Sequence, residues 1–113
     1  MKTSSAKAKG RKLQQEVVKC ILKNYPDLTP LDVRSTSMGV TGQDVQLSSM
    51  AAARFPMQVE CKNRAAIAIY KDYEQACTHG TLEPLLVIKQ NHSKPLAVVD
   101  LEFFIKLMSE RKQ

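Results

Sequence analysis

Alternating polar and apolar residues predict strands along the chain. The clearest case is the segment 57–62, in which Met, Val and Cys would face one side and Gln, Glu and Lys the other. Four other segments show alternation or short apolar runs of strand length. The five predicted strands are 31–38, 44–48, 57–62, 84–90 and 94–100. Turns are predicted at 39–42 and at 91–93, and the second turn would join the last two strands as a hairpin.

Apolar residues recurring every three or four positions predict three helices. The first covers 10–24 and ends before Pro26, which cannot continue a helix. The second covers 65–79 and stops at Gly80. The third covers 101–111 and begins after Asp100, a residue suited to capping a helix N-terminus.

The order of these elements, α-β-β-β-α-β-β-α, predicts a single α/β domain with a central mixed five-stranded sheet flanked by helices. The segment 49–55 fits either a loop or a helical turn. No repeat or linker divides the chain of 113 residues. We therefore expect a flexible basic arm at 1–9 and one folded domain at 10–113.

The net charge of +6 is concentrated before Glu16, the first acidic residue. Such a basic end favours a polyanionic partner, because neutralising phosphates releases counterions; a solvated tail is the alternative. No apolar run is long enough to span a membrane, and the basic N-terminus lacks a secretory apolar stretch. We expect a cytoplasmic protein without a membrane partner. Cys20, Cys61 and Cys77 show no metal-binding spacing and are interpreted as small buried thiols.

Three charged residues form the candidate site. Glu60 and Lys62 lie two positions apart on one strand, so their side chains share a face about 6 to 7 Å apart. Asp44 can reach that face if its strand is a neighbour. Converging carboxylates suit Mg²⁺, which takes oxygen ligands and keeps waters for substrate phosphates. Lys62 could orient the attacking water or stabilise charge on the phosphate. The alternative is a solvent-facing ion pair.

A glutamate on the first helix, Glu16, precedes Asp44 and the Glu60-Cys-Lys62 strand, and a helix follows. This arrangement resembles the PD-(D/E)XK nuclease superfamily, although Gln43 stands where the name motif has Pro. The small size and the Lys-Gly-Arg segment at 9–11 are most similar to Holliday junction resolvases of archaeal and phage type. The resemblance implies a restriction-endonuclease-like fold and Mg²⁺, with Mn²⁺ as an alternative.

The resemblance also implies roles for individual residues. Asp44, Glu60 and the backbone carbonyl of Cys61 would bind the metal, with Glu16 holding a second metal or a metal-bound water. Lys62 would position the nucleophilic water, and Gln75 would project toward the scissile phosphate. Glu16 and Gln75 could instead be ordinary exposed helix residues.

Basic residues near these elements are candidate DNA contacts. They are Lys9, Arg11, Lys12, Arg34 and Arg64. His79 lies at a helix end and His92 in a turn, and both are interpreted as surface residues.

The sequence therefore predicts a metal-dependent, structure-selective DNA endonuclease, with a Holliday junction resolvase as the leading hypothesis. Two coordinated cuts in a four-way junction would fit a homodimer. The alternatives are a less selective nicking or repair nuclease on the same scaffold and a non-catalytic nucleic-acid-binding module.

Overall fold

The computed structural model describes residues 2–36 and 42–111, with side chains described from Ser5 onward. Within these ranges the chain forms four helices and five strands. In chain order they are α1 (Lys2–Asn24), β1 (Val33–Ser35), β2 (Val45–Leu47), α2 (Ser49–Arg54), β3 (Met57–Asn63), α3 (Ile69–Cys77), β4 (Glu83–Lys89), β5 (Leu96–Val98) and α4 (Leu101–Glu110). None of the described helices is both long enough and apolar enough to cross a membrane.

The five strands belong to two sheets. In the three-stranded sheet, β4 is central: it runs parallel to β3, with Glu60 opposite Leu86, and antiparallel to β5, with Val87 opposite Ala97. The antiparallel pair of β1 and β2 forms the second sheet. The predicted α/β domain and its hairpin of β4 and β5 are confirmed. The single five-stranded sheet is not, because the strands are divided between two sheets.

Helix α1 covers both sheets. Leu13 and Ile21 are buried and Val17 is half-buried between them, because a spacing of four residues keeps all three on one face. Removing each such side chain from water stabilises the fold by about 1.5 to 3 kcal/mol. The core residues that meet this face or lie beside it are Leu28, Val33, Val45, Ala51, Met57, Val59, Cys61, Leu85 and Val87.

The first helix begins at Lys2 rather than at Gly10. The basic residues predicted to lie on a flexible arm at 1–9 therefore belong to the same helix as the core residues of α1. A Cβ at Gly10 would meet nothing within 4 Å, so this glycine reflects no close contact.

The ambiguous segment 49–55 contains a short helix, α2, held by a side-chain network. The Ser48 hydroxyl donates to Asp32 Oδ1 at 2.8 Å and accepts the Ala51 N–H at 3.1 Å. Asp32 also accepts the Thr29 N–H at 2.9 Å. Hydrogen bonds from that backbone N–H and from Ser48 lower the pKa of Asp32. The end of β2 and the start of α2 are thereby fixed to the segment before β1.

Two of the predicted buried thiols are exposed. Cys61 lies in the core, as expected for its place on the inner face of β3, whereas Cys20 and Cys77 are exposed. Helical spacing placed these two beside apolar stripes, but the core covers only part of each helix. On α3, the buried residues are Asp72 and Ala76.

Candidate active site

Asp44 lies between the two sheets, immediately before β2. Its backbone N–H donates to the carbonyl oxygen of Val59 at 2.7 Å, and its side-chain Oδ2 accepts the N–H of Cys61, also at 2.7 Å. Its own carbonyl accepts the N–H of Thr36 at 2.8 Å. These hydrogen bonds place the Asp44 carboxylate beside the middle of β3, although β2 and β3 belong to different sheets.

Glu60 is the buried centre of the site. It is 4 % exposed and lies on the face of β3 that α3 covers. Lys62 Nζ is 3.3 Å from Glu60 Oε2, and His79 Nε2 is 2.7 Å from Glu60 Oε1. A carboxylate removed from water needs partners, and these two side chains supply one for each oxygen.

His79 is the site residue that the sequence analysis missed. The prediction of a surface histidine is wrong, because its side chain is only 15 % exposed and is bonded to Glu60. Nothing in the local sequence marks it, since its partner lies on a strand that precedes α3. His92, in contrast, is exposed in the hairpin turn, with a positive φ of 63°.

The buried amide of Gln58 fixes the turn that carries His79. Gln58 Nε2 donates to the Ala76 carbonyl at 2.8 Å, and Gln58 Oε1 accepts the Leu82 N–H at 2.9 Å. Gly80 has a φ of 151°, and a Cβ there would lie 3.0 Å from Gln58 Oε1. Glycine therefore suits both the backbone conformation and the close approach of the amide.

Burial and neighbouring charges shift the pKa values of two groups in the site. Burial and, to a smaller extent, the negative charge of Glu60 raise the pKa of Asp44 to about 6, against the opposing effects of the Cys61 N–H, Lys62 and His79. Burial likewise raises the pKa of the Cys61 thiol, which makes a thiolate nucleophile unsuitable here.

The donor set fits a hard divalent ion. Asp44 and Glu60 supply carboxylate oxygens, and Mg²⁺ is commonly bound through one or two carboxylates plus substrate phosphates. In the described part of the chain, no group of three or more His, Cys, Asp or Glu side chains is placed to hold a metal. The residues therefore fit a site that water and substrate complete, and do not fit a closed structural metal centre.

The structure does not bring Glu16 to this pair of carboxylates. Glu16 is exposed and lines an apolar groove of about 550 Å³ together with Val17, Leu85 and Val87. The groove lies along β4 and β5, whereas Asp44 adjoins the opposite edge of β3. Gln75 is exposed on α3 and has no side-chain hydrogen bond to any described residue of the site.

A second ion pair lies at the end of β3. Arg64 Nη2 is 3.0 Å from Asp72 Oδ1, with the arginine half-exposed and the aspartate side chain 5 % exposed. Asp72 Oδ2 has no hydrogen-bond partner among the described residues. The sequence predicted Arg64 as a phosphate contact but missed Asp72, because a charged residue among the polar residues of α3 has the pattern of an exposed position.

The other predicted DNA contacts are spread over two elements. Arg11 and Lys12 are exposed on α1, and Arg34 is exposed on β1. Lys9 is half-buried, and its carbonyl oxygen is 3.5 Å from Asn63 Nδ2. This contact joins the basic half of α1 to the end of β3, close in sequence to Lys62 and Arg64.

Neither a protein-family model nor a curated protein nor a solved structure matches the chain. No comparison therefore identifies a family for this chain.

Proposed function

We propose that this protein is a metal-dependent, structure-selective DNA endonuclease that hydrolyses phosphodiester bonds, and that its substrate is a branched or four-way junction. The observation that carries the proposal is that the Asp44 carboxylate lies beside β3, the strand that carries Glu60 and Lys62. Burying charged groups costs free energy, so two acids and a lysine at a buried strand indicate a function that requires them.

The raised pKa of Asp44 supports a cation-binding role. A divalent ion binds the ionised carboxylate of Asp44 and offsets the cost of its charge in this buried place. Mg²⁺ held by Asp44, Glu60 and the backbone carbonyl of Cys61 would supply an acidified water and would neutralise charge on the phosphate; Mn²⁺ has the same preference for oxygen.

Lys62 would then be free to act on the reacting groups. In the structure its ammonium contacts Glu60 Oε2 at 3.3 Å. A cation on that carboxylate would compete with this contact, and the ammonium could then turn toward the attacking water or the phosphate oxygen. His79 would keep hold of the other carboxylate oxygen and so fix the orientation of Glu60.

The positive charge of the chain supports DNA as the substrate. The net charge is +6, and Arg11, Lys12 and Arg34 are all exposed. Phosphate contacts by such residues give affinity without sequence preference, which suits an enzyme that recognises shape. A homodimer would supply the two sites that symmetrical cleavage of a junction needs.

Cleavage assays with matched substrates test the proposal. The full chain would be incubated with Mg²⁺ or Mn²⁺ and with four-way junction, duplex and single-stranded DNA of shared sequence. We expect preferential cleavage of the junction, lost with EDTA and reduced at least a hundredfold in Asp44→Asn and Glu60→Gln. Glu74→Gln, an exposed carboxylate on α3, is the matched control.

The outcomes separate the alternative functions. Equal cleavage of all three DNAs would indicate a less selective nicking or repair nuclease on this scaffold. Binding without cleavage under both metals would indicate a non-catalytic nucleic-acid-binding module. Cleavage that survives Glu60→Gln with unchanged DNA affinity would overturn the assignment of the metal site.

A further inference from the structure

The ion pair of Arg64 and Asp72 lies on the same face of the sheet as the proposed active site. Strand β3 ends at Asn63, but the Arg64 N–H still donates to the Lys89 carbonyl oxygen at 3.1 Å, so the strand geometry continues for one more residue. Alternation then places the Arg64 side chain on the same side as Lys62, with the two Cα atoms about 6 to 7 Å apart. The contact with Asp72 agrees, because α3 packs on this side of β3.

The aspartate of this pair is buried, yet only one of its oxygens has a partner. Asp72 Oδ1 accepts a hydrogen bond from Arg64 Nη2 at 3.0 Å, whereas Asp72 Oδ2 has no partner among the described residues. The carboxylate of Glu60, in contrast, has Lys62 at one oxygen and His79 at the other. A buried carboxylate oxygen without a hydrogen bond costs free energy. The stability of the fold alone therefore does not explain an aspartate at this position.

The guanidinium of Arg64 is also only partly engaged. An arginine pairs most strongly with a carboxylate through two parallel hydrogen bonds. Here a single nitrogen, Nη2, bonds to Asp72, and the arginine side chain is 50 % exposed. Its other N–H groups make no hydrogen bond to a side chain or carbonyl in the described part of the chain, and they can bind a ligand from solvent. The pair thus has the form of a held arginine that offers donors outward.

We propose that Arg64 binds the phosphodiester next to the one that is cleaved, and that Asp72 is the positioning residue that holds its guanidinium. The inference rests on the proposed function, which places the reacting phosphate at Glu60 and Lys62. The step from Lys62 to Arg64 is comparable to the separation between successive phosphates of one DNA strand. A guanidinium that is already oriented binds phosphate oxygens with less loss of side-chain entropy than a freely rotating one does.

The charge of Asp72 makes the positioning role testable. A carboxylate beside an arginine lowers the local positive charge and so weakens the general attraction of DNA. If Asp72 acted through its charge alone, removing that charge would strengthen DNA binding. If Asp72 holds Arg64, removing the charge weakens binding, because the guanidinium loses its fixed orientation. The two roles therefore predict changes in affinity of opposite sign.

DNA binding in EDTA tests the proposal in the absence of cleavage. Fluorescence anisotropy of a labelled four-way junction would give Kd for the full chain between about 50 and 200 mM salt. Arg64→Ala should weaken binding about tenfold and reduce the slope of log K against log salt by about 1, as for one phosphate contact. Arg64→Lys keeps the charge but not the planar fork, and should recover only part of the affinity. Lys23→Ala, the same loss of charge in the last turn of α1, is the matched control.

Asp72→Asn tests the positioning role directly. The variant should weaken binding about threefold, although it makes the protein more positive, and it should cause no further loss in an Arg64→Ala background. Urea denaturation should show a different order, because the double variant regains part of the stability that Arg64→Ala loses. A purely structural ion pair would instead make DNA affinity follow stability across the three variants.

Cleavage kinetics distinguish the neighbouring phosphate from the reacting one. With Mg²⁺, Arg64→Ala should raise KM about tenfold and leave kcat nearly unchanged, as for an interaction made equally in the ground and transition states. A large fall in kcat at saturating DNA would place Arg64 at the reacting phosphate and overturn the assignment.

The binding results separate this inference from the proposed function. An unchanged Kd and salt slope in Arg64→Ala, or equal or tighter binding in Asp72→Asn, would overturn the inference and leave the nuclease proposal in place. A wild-type protein that binds no DNA would overturn both.

Discussion

His79 Nε2 lies 2.7 Å from Glu60 Oε1, across the packing between α3 and β3. The bond joins the buried carboxylate to the turn after α3, which the Gln58 amide holds in place. His79 is thus a positioning residue for the proposed metal ligand.

Replacing His79 tests that role. His79→Ala should lower the free energy of unfolding by about 1 to 3 kcal/mol, because Glu60 Oε1 loses its partner while remaining buried. His79→Gln keeps a donor and should recover part of the loss. Urea denaturation measures both effects, and equal stabilities for the two variants would show that the bond contributes nothing.

Metal binding should appear as added stability even before activity is known. If the dissociation constant for Mg²⁺ is about 1 mM, 10 mM Mg²⁺ stabilises the fold by about 1.4 kcal/mol and raises Tm by roughly 3 to 6 °C. The shift should vanish in Glu60→Gln and persist in Glu74→Gln. An identical shift in all three proteins would indicate non-specific binding of the ion.

The free energy of unfolding should depend on pH through the titration of Asp44. Its folded pKa of about 6 lies above the ordinary aspartate value of 3.8, so the folded state retains the proton to higher pH than the unfolded state does. The contribution of Asp44 to the free energy of unfolding, measured without metal, should therefore be largest below pH 4. It should fall as pH rises toward 6 and above.

Asp44→Asn removes that titration while keeping an oxygen for the Cys61 N–H. The variant should show a flatter stability profile between pH 4 and 7 and should gain stability relative to wild type toward pH 7. Urea titrations in EDTA at several pH values measure the difference. A wild-type profile that rises over this interval while the variant's stays flat would contradict the raised pKa.

The Arg64–Asp72 pair should show strong energetic coupling. Arg64→Ala leaves the buried Asp72 carboxylate without its cation and should cost about 1 to 3 kcal/mol. Adding Asp72→Asn removes the stranded charge, so the double variant should be more stable than Arg64→Ala alone. Strictly additive losses would show that the two side chains act independently.

The exposed basic residues of α1 should set the salt dependence of DNA binding. Arg11→Ala with Lys12→Ala should weaken binding and reduce the slope of log K against log salt by about 1 to 2. Lys19→Ala with Lys23→Ala, the same charge change further along α1, is the matched control. Equal slopes for the two double variants would show that the N-terminal half of α1 makes no phosphate contacts.

The parts of the fold that follow from local pattern were predictable from sequence. The alternation in β3 placed Glu60 and Lys62 on one face and Cys61 in the core, and Asp100 indicated the start of α4. Glu16 shows the limit of this reasoning, because helical spacing alone could not decide whether the Glu16 side of α1 faces Asp44. The partners of buried charges, His79 for Glu60 and Arg64 for Asp72, depend on the packing of α3 against β3, which no local pattern reports.

The hydrogen bonds of Asp44 cover part of the exposed edge of the three-stranded sheet. β3 is an edge strand, and an unpaired edge is a template for aggregation. The N–H and carboxylate of Asp44 occupy the two places on that edge where the N–H and carbonyl of a further parallel strand would bind. The backbone N–H and the side chain of this one residue thus pair with the middle of the edge as a strand would. Asp44→Ala would leave the Cys61 N–H without this partner, so the removal of a proposed catalytic acid would also free a hydrogen-bond donor on the edge of the sheet.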